Sequence, residues 1–245
     1  MLEKKNIIVS GGANGLGLET AERLLKEKAN VIIFDLDKKK LSTLNKAFIT
    51  YNIDVTSYNQ VQSAVDDINK NFGSIDTLVN NAGVIYSEPI INIMAKDDRK
   101  HSLESFKKYL DINLTSVFIL SSIVIEKMVI NQTKGVIVNI SSISSRGNSG
   151  QTVYSAAKAG VEALTKTWAQ ELGIFGIRVV AVSPGFIDTE STHKVLNNKI
   201  INDLKQKIPL KALGNANHIS ETVLHCIENE YINGTIIRID GGISI

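Results

Sequence analysis

Short runs dense in isoleucine and valine alternate with helix-length amphipathic segments from one end of the chain to the other, and this alternation restricts the fold more than any single residue. β-Branched side chains suit the pleated surface of a strand. Runs that stay apolar, rather than turning polar at every second position, suit strands covered on both faces, as parallel strands joined by helical crossovers are. The pattern predicts strands near 6–10, 30–35, 48–52, 75–80, 135–141, 177–182 and 235–240. Helices are expected over 15–28, 37–46, 57–72, 103–130, 153–173 and 218–228, with a looser helical stretch at 190–206. The expected fold is α/β: a doubly wound sheet of about seven parallel strands with helices on both faces. No proline- or glycine/serine-rich linker and no internal repeat interrupts the alternation, so a single domain over 1–245 is expected.

Bulk properties exclude several function classes. A net charge of +2, with no basic stripe interleaved with aromatics, gives no reason to expect a nucleic-acid partner. Lys38-Lys39-Lys40 reads as a solvated helix start. Cys226 is the only cysteine, which excludes an intramolecular disulfide and a cysteine zinc cage and suits a reducing, cytoplasmic setting. His101, His193, His218 and His225 show no metal-ligand spacing, so no metal is expected. The N-terminal apolar run is too short for a signal peptide, and Val117–Ile125 too short to span a bilayer, so no membrane association is expected and a buried helix is the better reading. Two long connections break the alternation, one over 84–102 and one over 186–208; in this fold both leave the carboxyl edge of the sheet, where ligands gather, and they are the expected substrate loops.

Strand one runs into Ser10-Gly11-Gly12-Ala13-Asn14-Gly15-Leu16-Gly17 and then a good helix-forming sequence, the context a phosphate-binding turn needs. Glycines 11, 15 and 17 are expected to allow positive φ, to bring backbone against a pyrophosphate, and to let the helix sit close to the sheet. Asp35 ends strand two, about twenty residues on, where a carboxylate accepts hydrogen bonds from a ribose and repels a 2′-phosphate. Neither Ala13 nor Asn14 is a cation that could pair with such a phosphate, so NAD(H) is favoured over NADP(H). Asp35 could instead cap the next helix, a job for which Asp37 is better placed. Asp54-Val55 could meet the adenine edge, and Asn80-Asn81-Ala82-Gly83 closes strand four with small residues that would let backbone approach the ribose.

In Tyr154-Ser155-Ala156-Ala157-Lys158 a tyrosine and a lysine four residues apart share one face of a helix. There an ammonium can hold a phenol, with its ordinary pKa of about 10, nearer ionisation. With the glycine turn, Asn80-Asn81-Ala82-Gly83, Asn113, the serines before Tyr154, Tyr154-x-x-x-Lys158 and Pro184-Gly185 in order, the whole chain resembles the short-chain dehydrogenase/reductase family. The resemblance implies a Rossmann-type domain, a nicotinamide cofactor, a small-molecule alcohol or ketone substrate, and a Ser-Tyr-Lys-Asn catalytic set. Tyr154 would be the general acid/base; Lys158 would lower its pKa and hold the nicotinamide ribose; Asn113 would anchor a water linking Lys158 to solvent. Ser142 would hydrogen-bond the substrate oxygen, while Pro184, Gly185, Ile187 and Thr189 match the segment that holds the carboxamide. Members commonly place the serine thirteen residues before the tyrosine, which selects Ser141; alignment from strand Val136–Ile140 selects Ser142, and both stay open. Gly147–Gln151 and Pro184–Thr189 are similar to the 3-oxoacyl-carrier-protein reductase branch, usually NADPH-dependent. The 91–105 connection and Asp35 are more similar to NAD-dependent 3-hydroxyacyl-CoA or hydroxysteroid dehydrogenases. An idle dinucleotide-binding sensor or assembly protein is the reading of another class, against which stands the retention of all four catalytic residues. The resemblance also implies a homotetramer through the helices at 103–130 and 153–173.

Overall fold

The structure is a computed structural model and describes residues 2–195 and 198–243. Its elements run β1 (Asn6–Ser10), α1 (Gly15–Lys26), β2 (Asn30–Asp35), α2 (Lys38–Thr43), β3 (Ile49–Asn52), α3 (Tyr58–Phe72) and β4 (Thr77–Asn80). After a long connection come α4 (Leu103–Leu110), a π-helical turn (Asp111–Thr115), α5 (Ser116–Ile130), β5 (Val136–Ile140), a 3₁₀ turn (Ile143–Arg146), α6 (Thr152–Leu172) and β6 (Arg178–Pro184). The chain ends with β7 (Ile187–Asp188), α7 (Glu190–Val195), α8 (Asn198–Lys207), β8 (Gly214–Asn215), α9 (Ala216–Glu228) and β9 (Ile236–Ile239).

Seven strands form one parallel sheet in the order β3-β2-β1-β4-β5-β6-β9. Alternation along each strand divides the apolar side chains between two cores. Ile7 and Val9 face one layer with Leu24 of α1 and Val223 of α9; Ile8 faces the other with Val65 of α3, Leu120 of α5 and Leu78. The order reverses between β1 and β4, and a crevice opens at the carboxyl ends of the strands there, as the doubly wound topology requires. This is the Rossmann-type α/β architecture.

Local differences from the sequence expectation have local causes. The helix expected over 103–130 is interrupted by the π turn, where the Ser116 amide reaches back five residues to the Asp111 carbonyl. Leu103–Ile130 is long and apolar enough to cross a membrane by composition, but half of its apolar window is buried, with Val117, Leu120, Ile123, Val124 and Met128 in the core. The connection after β6 contains β7, which pairs with β8 as a two-stranded sheet of its own. Leu196 and Asn197 of the expected 186–208 loop lie outside the described residues.

Candidate active site

Small residues join β1 to β4 at the floor of the crevice. The Ser10 hydroxyl accepts from the Asn81 and Ala82 amides (both 3.0 Å), and the Asn81 carboxamide donates to the carbonyls of Ser10 (3.1 Å) and Gly11 (3.0 Å). Gly11 (φ +64°) and Gly15 (φ +55°) occupy the left-handed region. Gly17 does not: its part is steric, because a Cβ there would lie 2.1 Å from the Gly11 carbonyl oxygen. The expectation of positive φ thus holds at two of the three glycines and is corrected at Gly17, which sits behind the crevice wall. Asn14, extended at the N-cap of α1, makes no capping bond with its side chain, and the first turn carries no acidic residue. The first amides of α1 are therefore available to an anion.

At the end of β2 both carboxylate oxygens of Asp35 are oriented by backbone, accepting from the Ala13 amide (3.0 Å) and the Asp37 amide (2.9 Å). Capping of α2 falls to Asp37, whose side chain accepts from Lys39 and Lys40. Asp54 turns inward on Thr56, accepting from its amide and hydroxyl (2.9 and 2.7 Å).

The crevice has a volume of about 1110 Å³. Gly11, Asn14, Gly15, Leu16, Asp35, Asp54, Val55, Asn81, Ala82 and Gly83 line it, and so do Ser142, Tyr154, Lys158, Pro184, Gly185, Ile187 and Thr189. One cavity therefore collects every residue expected at the site except Gly17 and Asn113. Asn113, in the π turn, is fully buried: its carboxamide accepts from the Val84 amide and donates to the carbonyls of Val84 and Tyr109. Its side chain closes the Gly83-Val84 bend onto the helix rather than facing the cavity; a Cβ on Gly83 would lie 2.8 Å from its oxygen. Leu36, Lys108, Asp111 and Ile112 line the cavity without having been expected there. The last three belong to the last turn of α4 and the π turn, which only the folded path of the helix turns toward the crevice, whereas Leu36 was signalled by its place beside Asp35.

Strand β5 delivers the two serines in opposite directions. Ser141, just past its end, points to α6, donating to Glu162 Oε1 (3.0 Å) with the Lys158 carbonyl at 3.4 Å as the weaker alternative acceptor. Ser142 turns to the cavity beside Tyr154, where its hydroxyl favours the phenolate. Its oxygen also accepts from the Ser144 amide (3.2 Å). Tyr154 and Lys158 are buried on successive turns of α6, with Nζ 5.8 Å from the centre of the phenol ring. The Lys158 ammonium donates to the Ile140 carbonyl (2.8 Å), and burial brings its pKa down to about 8. Burial also raises the Tyr154 pKa, opposed by the Ser142 hydroxyl. The expected lowering of the phenol by Lys158 is corrected on this point. The dry environment disfavours phenolate more than any neighbour in this structure favours it.

Pro184 ends β6, and the Gly185 amide donates to the Ile239 carbonyl (2.9 Å); a Cβ there would meet the Asp240 backbone at 2.7 Å. Beyond it, the Thr192 hydroxyl donates to the Ile187 carbonyl (2.6 Å) and lies 3.1 Å from the Thr189 hydroxyl, fixing the start of the second long connection.

A family model described as enoyl-(acyl carrier protein) reductase matches residues 11–244. The chain is 36% identical to the 3-oxoacyl-(acyl-carrier-protein) reductase FabG of Thermotoga maritima, the match covering 100% of this chain and 99% of that one. It is 34% identical to human 3-hydroxyacyl-CoA dehydrogenase type-2, with 96% and 94% covered. It is also 34% identical to sorbitol-6-phosphate 2-dehydrogenase of Klebsiella pneumoniae, with 98% and 96% covered. A crystal structure of a short chain dehydrogenase from Bacillus anthracis superposes with a TM-score of 0.88 at 30% identity, covering 99% of this chain and 97% of that one. With that cavity at the switch point of a seven-stranded parallel sheet, the chain belongs to the short-chain dehydrogenase/reductase family, as a nicotinamide-dependent oxidoreductase acting on CH–OH or C=O groups.

Proposed function

We propose that the chain is an NAD(H)-dependent oxidoreductase interconverting a secondary alcohol and a ketone, with Tyr154 exchanging the proton on the substrate oxygen. The observation that carries this reading is the gathering of half-buried Ser142 with buried Tyr154 and Lys158 in one crevice that also holds the backbone-oriented carboxylate of Asp35. Among the described residues the lysines lining the crevice, Lys108 and Lys158, both come from segments after β4, and no arginine lines it. A 2′-phosphate beside Asp35 would thus meet a carboxylate and no cation from the β1 or β2 end.

The residues fit a dinucleotide. Gly11, Asn14, Gly15, Leu16 and the start of α1 would hold the pyrophosphate, Asp35 the adenosine ribose, and Asp54 and Val55 the adenine. Asn81, Ala82, Gly83 and Lys158 would hold the second ribose; Pro184, Gly185, Ile187 and Thr189 would hold the carboxamide. When bound, the cofactor supplies or accepts hydride at the nicotinamide. In the reductive direction Tyr154 gives its proton to the oxygen of the carbonyl being reduced. Ser142 stabilises the charge developing on that oxygen, because the Ser144 amide occupies its acceptor side and leaves its own proton to donate. Lys158, brought by burial to a pKa of about 8, can return a proton to Tyr154 near neutral pH. Asn113 contributes through the Val84 bend, and a water linking Lys158 to solvent would be held by main-chain groups of the π turn, since its carboxamide is engaged.

Residues 1–245 act as one domain in this reading, with 84–102 and 186–208 selecting the substrate, in the cytoplasm. A homotetramer through α4–α5 and α6 is supported by Phe118, 53% exposed on α5 with its ring 6.5 Å from Trp168 of α6. A monomeric mass in light scattering would contradict it. A second reading, NADPH-dependent reduction of a 3-oxoacyl thioester on a carrier protein, is favoured by the identity to the Thermotoga maritima reductase. Oxidation of NADH and NADPH followed across 3-oxoacyl thioesters, sugars, polyols and steroids tests both. The reading expects a ketone reduced faster with NADH, and it fails if NADPH is preferred or if no carbonyl compound is reduced.

A further inference from the structure

Glu162 lies outside the machinery described above, yet it stands on the same face of α6 as Tyr154 and Lys158, at successive intervals of four residues. One of its carboxylate oxygens, Oε1, accepts from two hydroxyls, those of Ser141 (3.0 Å) and Ser145 (2.6 Å). These serines lie on either side of Ser142, one just past the strand and the other in the 3₁₀ turn that follows. The Ser145 amide also donates to the Ser142 carbonyl (3.0 Å), and the Ser144 amide donates to the Ser142 hydroxyl (3.2 Å).

We infer that Glu162 is a positioning residue: by accepting from Ser141 and Ser145 it clamps the 3₁₀ turn to α6, and so holds the Ser142 hydroxyl beside Tyr154. The helix that carries the acid/base thereby also sets the distance to its partner serine, one and two turns further along. A single carbonyl-type oxygen has two lone pairs and can accept both hydroxyls, so the clamp needs an acceptor at this place and not a charge. The inference rests on the proposed role of Ser142, and the test separates the two.

The variants Glu162→Leu, Glu162→Gln, Ser145→Ala and Ser142→Ala are assayed by NADH oxidation with acetoacetyl-CoA. NADH binding is titrated by fluorescence, and crystal structures of Glu162→Leu and Ser145→Ala are determined. Displacement of a reacting group by about 1 Å costs on the order of 100-fold in rate, so Glu162→Leu is expected to lower kcat by about 10- to 100-fold. The KM for NADH, the NADH affinity and the shape of the pH profile should stay as in the parent, and the crystal structure should show Ser142 displaced from its place beside Tyr154. Glu162→Gln is expected to restore kcat to within about threefold of the parent, since its carbonyl oxygen keeps both hydroxyl bonds. If Glu162→Leu does not fold, Ser145→Ala stands in, losing the 2.6 Å bond with the carboxylate kept. An unchanged kcat in whichever of these two variants is read overturns the inference, as does a Ser142 still in place beside Tyr154 in its crystal structure. A Glu162→Gln variant as slow as Glu162→Leu overturns it too. If Ser142→Ala is itself fully active, the proposed role of Ser142 fails and the inference with it; a crippled Ser142→Ala beside an unaffected Glu162→Leu removes the inference alone.

Discussion

Replacing Asp35 separates cofactor choice from catalysis, and the structure sets the size of the effect. Asp35→Ala removes the acceptor of two backbone amides, at 3.0 Å from Ala13 and 2.9 Å from Asp37. Asp37 is exposed, so water can take over its amide, whereas Ala13 is buried and its N–H is left unpaired at about 1–3 kcal/mol. For a chain of 245 residues, at about 2–4 °C per kcal/mol, Tm should fall by about 2–12 °C. Hydrogen bonds from a ribose to a charged acceptor are worth about 1.5–3 kcal/mol, so the KM for NADH should rise about 10- to 150-fold. Since Asp35 touches no reacting atom, its bonds act equally in ground and transition states, and kcat should change little. Loss of the negative charge should relax discrimination against NADPH. Asp35→Asn, which keeps one acceptor oxygen, should lose less Tm while relaxing discrimination in the same direction. The assay is kcat/KM for NADH and NADPH in parent and variants, with Tm measured on the same samples. A parent enzyme that prefers NADPH, or an unchanged NADH:NADPH ratio in Asp35→Ala, would refute the reasoning.

Two further outcomes follow from burial and close approach. Lys158 has a folded pKa of about 8 against 10.5 for the free side chain, so at this group the unfolded state binds more protons between these values and its contribution to stability should rise with pH across that window. That contribution is at most about 3 kcal/mol and is read from pH 8 to 10 as the difference in Tm between the parent and Lys158→Met, in which ionisation of the unfolded tyrosines and of Cys226, whose buried thiol is raised to about 11, cancels; the variant should exceed the parent in Tm at pH 7 and the gap should close as pH rises, while parallel Tm–pH curves would contradict this. Gly17→Ala places a Cβ 2.1 Å from the Gly11 carbonyl oxygen and 2.4 Å from Asn81 Nδ2, and should abolish NADH binding by fluorescence titration, whereas Gly173→Ala, with open space around it, should bind as the parent does.

Strands and helices were legible in the sequence because each is fixed by local pattern: Ile7-Ile8-Val9 supplies both cores by alternation alone. The cavity-lining residues were legible where spacing along an element decides direction, as at Tyr154 and Lys158 on one helix face. What escaped depends on long-range geometry. The π turn places Asn113 against Val84, twenty-nine residues away, and no helical periodicity announces an extra residue in a turn. Counting back from Tyr154 left Ser141 and Ser142 open; both line the cavity, and their hydroxyls take different partners because consecutive residues leaving a strand point to opposite sides. Gly17 was recognised as a glycine position for the wrong reason in part, since the carbonyl it must clear belongs to Gly11, six residues earlier in the same turn. The electrostatics of Tyr154 were the least legible, because burial, which outweighs the Ser142 hydroxyl here, is a property of the whole fold.

The central claim is that Tyr154 handles the proton in a crevice where other residues make most of the cofactor contacts. Tyr154→Phe removes one oxygen from a buried side chain and leaves the ring packing in place. Loss of a general acid costs about 10²–10⁴-fold. The decisive measurement is kcat of Tyr154→Phe beside its NADH dissociation constant: the account predicts unchanged affinity with kcat reduced at least about 100-fold, and a kcat near that of the parent would place the acid/base on another residue.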